Sequence, residues 1–205
     1  MGILSGALTV RRFRIVGNIP EGFRELWRDR LNEQAFKDSP IEVGKEEREG
    51  WVQIHNLLDT TFDDFNKWLY NDLVLLALRV DKKSLPGKLF KATLDKEFEK
   101  WCVEHEVKRC PKAEKEEIKD RLETAWLKRT LPKVAVTELC FNIQERYVIL
   151  HSLSESASER VRKRFFQTFG LKLVPWSPLD GIEDEELRDA LLDVVPSMVG
   201  EVTHD

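Results

Sequence analysis

The chain has 205 residues, 41% of them hydrophobic, with six tryptophans and a formal net charge of −4. This composition excludes an intrinsically disordered chain and suffices for one core, so we expect one domain or a domain with an appended arm. Three irregularly spaced cysteines exclude a disulfide framework or zinc site and suit a reducing compartment. No apolar run reaches the roughly 18 residues of a membrane span. The N-terminal arginines follow the apolar residues, the wrong order for a secretory signal, and a cytoplasmic protein is predicted.

The N-terminal part is predicted to begin with a strand and a helix. Apolar residues recur with the period of a strand over residues 7–17. Pro20 follows near the first position of a helix, where a missing amide donor costs nothing. The apolar face of this helix carries Phe23, Leu26, Trp27 and Leu31. The charged, apolar-poor residues 37–49 are predicted to form an exposed loop.

Two more strands are predicted before residue 82. Gly50 begins a short strand, and a polar connection over residues 59–66 is anchored by Phe62 and Phe65. Residues 72–81 form the most continuous apolar run in the chain. Such a run predicts a central strand that is buried on both faces.

Residues 85–132 are predicted to form a charged helical arm. Pro111 divides the stretch, and since proline lacks an amide donor and clashes with the preceding turn, it is expected near the start of a second helix. The two helices would form a hairpin or a long bent arm. Trp101 and Trp126 lie on or beside the apolar stripes and are predicted to pack within the arm rather than stack on bases. These stripes, at helical spacing, consist of Phe90, Leu94, Phe98, Trp101, Ile118, Leu122 and Ala125.

A hairpin and a well-delimited helix are predicted after the arm. Residues 134–153 contain two apolar runs around a polar turn at residues 144–146. The helix is predicted over residues 156–170, because Ser156 and Glu159 fit a capping box and a terminal glycine fits the left-handed C-terminal cap. Its buried stripe is Val161, Phe165 and Phe169, which leaves Arg162, Lys163 and Arg164 mostly towards solvent.

The last elements are a strand over residues 171–176 and an acidic tail. We divide the chain into a domain over residues 1–178, which includes the arm, and a tail over residues 179–205. A short helix is predicted over residues 183–195, and its apolar side is expected to pack on the domain. That side carries Leu187, Leu191, Val194 and Val195. Strands and helices without regular βαβ repetition predict an α+β fold, with a mixed or antiparallel sheet, packed helices and a long charged helical hairpin arm.

Charge is distributed unevenly along the chain. Residues 82–133 hold 15 basic and 10 acidic side chains, a balance of +5, whereas residues 179–205 hold nine acids and one arginine, a balance of −8. A basic middle followed by an acidic end is typical of proteins that bind nucleic acid.

The sequence offers no catalytic constellation. The four histidines, His55, His105, His151 and His204, are scattered and share no metal-ligand spacing with a cysteine or carboxylate. No Gly-rich phosphate loop and no nucleophile elbow occur. Acidic clusters such as Asp63-Asp64 and Asp184-Glu185-Glu186 are predicted to be solvated surface, although they leave a magnesium-dependent nuclease open. We predict a protein that is not an enzyme and that needs no metal or cofactor.

Five short segments carry a resemblance to a known family. They are Gly50-Trp51-Val52, the run LRVDKK over residues 78–83, Leu85-Pro86, Leu131-Pro132 and the run TFGLKLVP over residues 168–175. In this order, across most of residues 5–178, they resemble the RdgC family of recombination-associated bacterial proteins. Typical members have a further C-terminal region that takes part in closing a ring, so the chain resembles a short form without that region.

The resemblance implies a function as well as a fold. RdgC proteins are α+β, form dimers that encircle duplex DNA with little sequence preference, and restrain strand exchange driven by RecA. It therefore implies a nucleoid-associated homodimer that binds duplex DNA, with single-stranded DNA as an open second ligand, and that antagonises RecA.

The residues predicted to contact DNA follow from the +5 segment and its match to the family's basic helices. They are Lys82, Lys83, Lys88, Lys91, Lys112, Lys115, Lys119, Lys128, Arg129 and Lys133. Arg162, Lys163 and Arg164, the solvent-facing cations of the helix over residues 156–170, are also predicted to contact DNA. Two other functions stay open at this point. The chain is either a DNA-binding protein, or a protein-interaction module that uses the arm, or, as the least favoured case, a metal-dependent nuclease.

Overall fold

A computed structural model describes residues 2–4, 6, 8–38, 47–182 and 184–192. Seven strands form one sheet, and they are β1 Arg11–Val16, β2 Glu47–Val52, β3 Leu69–Tyr70, β4 Leu73–Lys82, β5 Lys133–Asn142, β6 Tyr147–Leu150 and β7 Lys172–Pro175. The α-helices are α1 Phe23–Glu33, α2 Gly87–Glu104, α3 Lys112–Arg129, α4 Glu155–Phe169 and α5 Glu185–Leu192. Short 3-10 helices span Phe65–Lys67 and Pro178–Gly181.

The strands lie in the order β2-β4-β5-β6-β1-β7, and β3 pairs separately with β4. Every pairing between these strands is antiparallel. Helices that pack on an antiparallel sheet define an α+β fold, so the predicted fold class is confirmed. The hairpin predicted from residues 134–153 is the pair β5 and β6.

Strand β4 is central, as its apolar run predicted. It pairs with β2, β3 and β5, and its burial continues on both faces of the sheet. Val74, Leu76 and Leu78 belong to the main core, whereas Ala77 and Asp81 are buried on the opposite face.

The main core lies between the sheet and helices α1 and α4. Trp27 of α1 packs edge-on against Phe169 of α4, with ring centroids 5.0 Å apart, and Phe141 of β5 meets Phe165 at 5.4 Å. All four rings are at most 2% exposed. Fully buried side chains of this size each stabilise the fold by about 2–3 kcal/mol.

The segment after α1 covers the other face at the β2 end of the sheet. The Phe36 amide donates to the Trp51 carbonyl (2.9 Å), and the Trp51 amide donates to the Gln34 carbonyl (3.0 Å). This approach requires a glycine at position 50, since a Cβ there would lie 2.4 Å from the backbone of Phe36. Phe36 in turn lies beneath the guanidinium groups of Arg48 and Arg79.

Several predicted boundaries are wrong. Residues 47–49 are not loop but the first half of β2, so Gly50 lies near the end of that strand and not at its start. Helix α1 begins at Phe23, because Gly22 adopts a left-handed conformation (φ 67°) that separates Pro20 from the helix. Strand β1 is shorter than residues 7–17. Ala7 and residues 39–46 of the predicted loop lie outside the described residues.

The N-cap of α4 lies two residues before the predicted capping box. Ser154, not Ser156, is the N-cap, and its hydroxyl accepts the Ala157 amide (3.4 Å). The other end is as predicted, with Gly170 in the left-handed region at φ 71°.

Helices α2 and α3 form an antiparallel hairpin, the predicted arm, and Pro111 is the N-cap of α3. Phe90 near the start of α2 meets Trp126 near the end of α3 edge-on at 5.5 Å. Trp126 therefore packs between the two helices as predicted. Trp101 stacks on His105, the C-cap of its own helix, at 4.0 Å. At 1.5 Å per residue, 18 residues give each helix a length of about 27 Å.

The apolar side of the tail helix was expected to pack on the domain, but the described part of this helix does not do so. Helix α5 buries no side chain, and Leu187 and Leu191 are 50% and 41% exposed. The ends of the predicted helix, including Val194 and Val195, lie outside the described residues. Among the described helices, none is both long and apolar enough to cross a membrane.

Candidate nucleic-acid interface

A groove of about 470 Å³ lies at the base of the arm. One wall consists of the C-terminal half of β4 and the N-terminal half of β5. The other wall is the start of α4 and the segment that precedes it. The charged and hydroxyl side chains that line it are Glu47, Lys82, Ser84, Lys133, Thr137, Ser152, Ser154, Ser156 and Arg160.

The strand wall places two lysines side by side. Lys82 and Lys133 are direct partners in the β4–β5 register, and both are exposed. Like charges directly opposite each other on neighbouring strands destabilise a sheet. Glu47, the partner of Lys82 on β2, lies 3.9 Å from the Lys82 ammonium group. The pair of lysines is therefore only partly neutralised from within the chain.

Arg160 of α4 competes with Lys82 for that carboxylate. Its guanidinium donates to both Glu47 oxygens (2.8 and 3.1 Å) and to Glu49 (3.2 Å). The hydrogen bonds from Arg160 hold the pKa of Glu47 below its ordinary value. Since a bidentate arginine binds a carboxylate more strongly than a single ammonium does, most of the Glu47 charge is offset by Arg160. Lys82 and Lys133 keep an excess of positive charge.

The helix wall adds hydroxyl groups and the positive end of a helix dipole. Ser152 accepts the Ser154 amide (3.1 Å), and the Ser154 hydroxyl lies 3.0 Å from that of Ser156. Glu155 in the first turn is tied to Arg11, which lowers its pKa. Cations, hydroxyls and a helix N-terminus together form a wall of the kind that binds phosphate groups.

The predicted arm residues do not share one surface. Lys88 and Lys91 are exposed on α2. At about 100° per residue, Lys112, Lys115 and Lys119 lie within about 60° of one another on α3, whereas Lys128 lies on the opposite side. The Lys115 ammonium also sits 5.4 Å from the Phe98 ring centroid, between the two helices.

Lys83 has a structural contact at the arm base. Its ammonium donates to the Leu127 carbonyl (2.7 Å) in the last turn of α3. A cation at a helix C-terminus offsets the negative end of the dipole. Arg129 is exposed beside it.

The three predicted cations of α4 point to different places. Arg164 was predicted to face solvent, but its side chain is only 17% exposed and its guanidinium donates to Glu49 (2.8 Å) and Gln34. The Arg162 Nε donates to the Leu173 carbonyl (3.1 Å). Lys163 is exposed.

Arg160 is the groove residue that the sequence prediction missed. The predicted cations of this helix are the contiguous run at residues 162–164, yet helical spacing places Arg160 on the same side as Ser156 and Ala157. A cation four residues after the serine-rich start of a helix was the available signal.

The acidic clusters have local structural contacts. Asp63 accepts the Asn32 side-chain amide (2.8 Å), and Asp64 caps the 3-10 helix at Phe65. Asp184 accepts the amides of Glu186 and Leu187. Across the described ranges, no three His, Cys, Asp or Glu side chains come together as a metal-ligand group. His204 lies outside those ranges.

Comparison with known proteins identifies the family. A family model described as "Putative exonuclease, RdgC" matches residues 10–186, which include all seven strands and the whole arm. No curated protein gives a significant match. Because the family model covers most of the chain, the resemblance carried by the five sequence segments is confirmed. This chain belongs to the RdgC family of recombination-associated proteins.

Proposed function

We propose that the protein binds duplex DNA without sequence specificity, through the groove at the arm base and the exposed lysines of the arm. The observation that carries the proposal is the direct pairing of Lys82 with Lys133 in the wall of an open groove. A phosphate group between them would relieve their repulsion. Phosphates are the same in every sequence, so such contacts bind DNA but do not read it.

The wider biological role rests on the family. Binding of this kind suits a nucleoid-associated homodimer that restrains RecA-driven strand exchange, as the resemblance implies. Lysines lie on opposite sides of α3, so one duplex cannot contact all of them from one side. This distribution favours a complex in which more than one protomer contacts the DNA, or in which the duplex passes between two protomers.

The protein is proposed to act by binding and not by catalysis, although the family description names an exonuclease. Support comes from the structural contacts of the acidic clusters. Asp64 and Asp184 accept backbone amides at the starts of short helices, and Asp63 accepts the side-chain amide of Asn32. Incubation of labelled duplex with the protein and Mg²⁺ tests this point. Release of nucleotides that scales with protein concentration would contradict it.

A protein-interaction module is the second candidate. It is favoured by apolar side chains that the arm leaves in solvent, among them Leu89 (60% exposed) and Val103 (77% exposed). The two functions differ in their response to salt, because only phosphate contacts release condensed counterions.

A mobility-shift titration with two unrelated duplexes at several salt concentrations tests the proposal. We expect equal affinities for both sequences and a steep loss of affinity with salt. The double variant Lys82→Gln/Lys133→Gln should weaken binding to both. The matched control Arg24→Gln/Lys37→Gln removes the same charge outside the groove. Equal affinities of the two double variants would contradict the groove assignment.

A further inference from the structure

The face of the sheet opposite α1 and α4 is exposed in part among the described residues, at Arg12, Arg14 and Val16 of β1 and at Lys172 of β7. Phe13, Ile15, Val148 and Leu173 point into the core beneath α1 and α4. Alternate residues of the same strands therefore point to the other side. These outward side chains are Arg12, Arg14, Val16, Tyr147, Ile149, Lys172 and Val174, with Trp176 directly after β7.

This open sheet face, defined by those eight residues, is positively charged. The three strands contain no acidic residue at all, although the chain as a whole carries a net charge of −4. Arg12, Arg14 and Lys172 are exposed, and within the described part of the chain none of them makes an ion pair. The nearest outward acid on the next strand, Glu138, is occupied by the Ile3 amide (2.6 Å).

Arg12 is held between two aromatic rings. Its guanidinium carbon lies 3.3 Å from the Trp176 ring centroid and 4.3 Å from that of Tyr147. Trp176 is nevertheless 37% exposed. Stacking fixes the plane of the guanidinium group without using its N–H donors, which among the described residues have no hydrogen-bond partner. An ordered cation with free donors and a neighbouring exposed ring is suited to a phosphate and a base.

We infer that the open sheet face is the site for single-stranded DNA, the second ligand left open by the family resemblance, and that this site is separate from the duplex groove. Phosphates would contact Arg12, Arg14 and Lys172, and unpaired bases would stack on Trp176 and Tyr147. Aromatic side chains on a basic sheet surface bind single strands in this way with little sequence preference. Cations alone would accept either form of DNA. The rings favour the single strand, since the bases of a duplex present no free faces.

A second copy of the chain is a poorer occupant of this face. A symmetric contact would bring Arg12 and Arg14 against their own counterparts, and like charges across an interface disfavour association. The chemistry of the face, with three cations and two rings, is complementary to a flexible polyanion that carries aromatic groups.

The test is fluorescence anisotropy of labelled oligothymidylate with the full chain and its variants. Stacking on one ring changes affinity about fivefold or more, so Trp176→Ala should raise the dissociation constant at least that much, whereas Trp176→Phe should retain most of the affinity. The Arg14 side chain makes no ion pair within the described residues, so Arg14→Gln should leave the fold intact. This variant should weaken binding and lower the slope of log affinity against log salt by about 0.7. Thermal melting of each variant identifies any loss of fold.

The groove variant Lys82→Gln/Lys133→Gln separates this inference from the proposed function. It should lower duplex affinity and leave oligothymidylate affinity unchanged, and Arg14→Gln should have the larger effect on oligothymidylate. Oligothymidylate affinity that is unaffected by both Trp176→Ala and Arg14→Gln would overturn the inference, whatever happens to duplex binding. Equal displacement of the oligonucleotide by polyglutamate of matched charge would also overturn it, because charge alone would then explain the binding.

Discussion

Lys82 and Lys133 lie directly opposite each other where β4 and β5 leave the sheet, and no ion pair involves Lys133 in the described part of the chain. An antiparallel pair of this kind is unfavourable without an anion. The repulsion between these two lysines occurs in the groove where the sheet, the base of the arm and the start of α4 meet. It therefore connects the positive charge of the arm segment with a specific groove.

The first prediction concerns the salt dependence of this groove. Each lost phosphate contact lowers the slope of log affinity against log salt by about 0.9 for duplex DNA. We therefore expect Lys82→Gln/Lys133→Gln to reduce the slope by up to about 1.8 and to do so equally for unrelated sequences. An unchanged slope would show that the two lysines do not contact phosphates.

The second prediction concerns Asp81 of β4, which is fully buried and accepts a hydrogen bond from Arg48 of the neighbouring strand β2. Burial opposes its ionisation, but hydrogen bonds from Arg79 (2.8 Å) and Arg48 (3.1 Å) outweigh burial and lower its pKa. We expect Asp81→Asn to lower the free energy of unfolding by about 3 kcal/mol near neutral pH, because two guanidinium groups lose their shared carboxylate. Urea denaturation measures this effect.

The pH dependence of that effect has a definite sign. A depressed carboxyl pKa stabilises the fold above the ordinary value of 3.8, and this stabilisation is lost as the pH falls through the lower, folded-state pKa. The stability difference between the native protein and Asp81→Asn should therefore narrow below about pH 4. Asp38→Asn is the control, since Asp38 pairs with Arg48 at 2.9 Å but is 84% exposed, and it should change stability by less than about 1 kcal/mol. Similar effects of the two variants would contradict the role of Asp81.

The third prediction separates the two serines at the start of α4. Ser154 caps the helix, whereas Ser156 lies inside its first turn. Ser154→Ala should cost about 1 kcal/mol of stability, and Ser156→Ala should cost less than about 0.5 kcal/mol. The comparison uses urea denaturation of both variants, and the opposite ranking would place the cap where the sequence pattern put it.

Sequence patterns predicted most of the fold, because these elements depend on interactions between residues that are close in sequence. The apolar run of β4, the hairpin of β5 and β6, and the division of the arm at Pro111 each follow from periodicity or from the chemistry of proline. The start of β2 did not follow. Glu47 and Glu49 are tolerated in a strand because Arg160 and Arg164, more than 110 residues away, pair with them.

Only part of the candidate site could be predicted from the sequence, because the rest depends on contacts between residues that are far apart in the chain. Lys82 and Lys133 were identified from charge, but their pairing depends on the β4–β5 register and not on their own neighbourhood. Arg160 and the serines join them only through packing of α4. The open sheet face gave no signal, since Arg12, Tyr147 and Trp176 are far apart in sequence and meet across three strands.

The fourth prediction is a homodimer. Leu89 and Val103 are 60% and 77% exposed on an arm that is basic overall, and we expect the second protomer to cover them. Light scattering at micromolar concentration should give twice the mass of one chain. A value of one chain mass would contradict this expectation. If the arm contributes to the interface, Val103→Lys should shift the mass towards one chain, and Leu58→Lys, which changes an equally exposed leucine on the body (80%), should not.

The last prediction concerns the acidic tail, residues 179–205, whose charge is −8. The described part, helix α5, buries no side chain, so the core does not depend on it. A polyanion tethered to a basic body lowers the local potential and competes with phosphates for the same lysines. We therefore expect truncation after Pro178 to raise duplex affinity at low salt without lowering the melting temperature. Neutralisation of Glu185, Glu186 and Asp189 by Gln or Asn should reproduce part of this gain, because these acids are exposed and their removal leaves the length of the chain unchanged. The gain should disappear as salt rises, since screening weakens the tail and the DNA contacts alike. Unchanged affinity together with reduced solubility or a lower melting temperature would instead show that the tail stabilises the protein and does not regulate DNA binding.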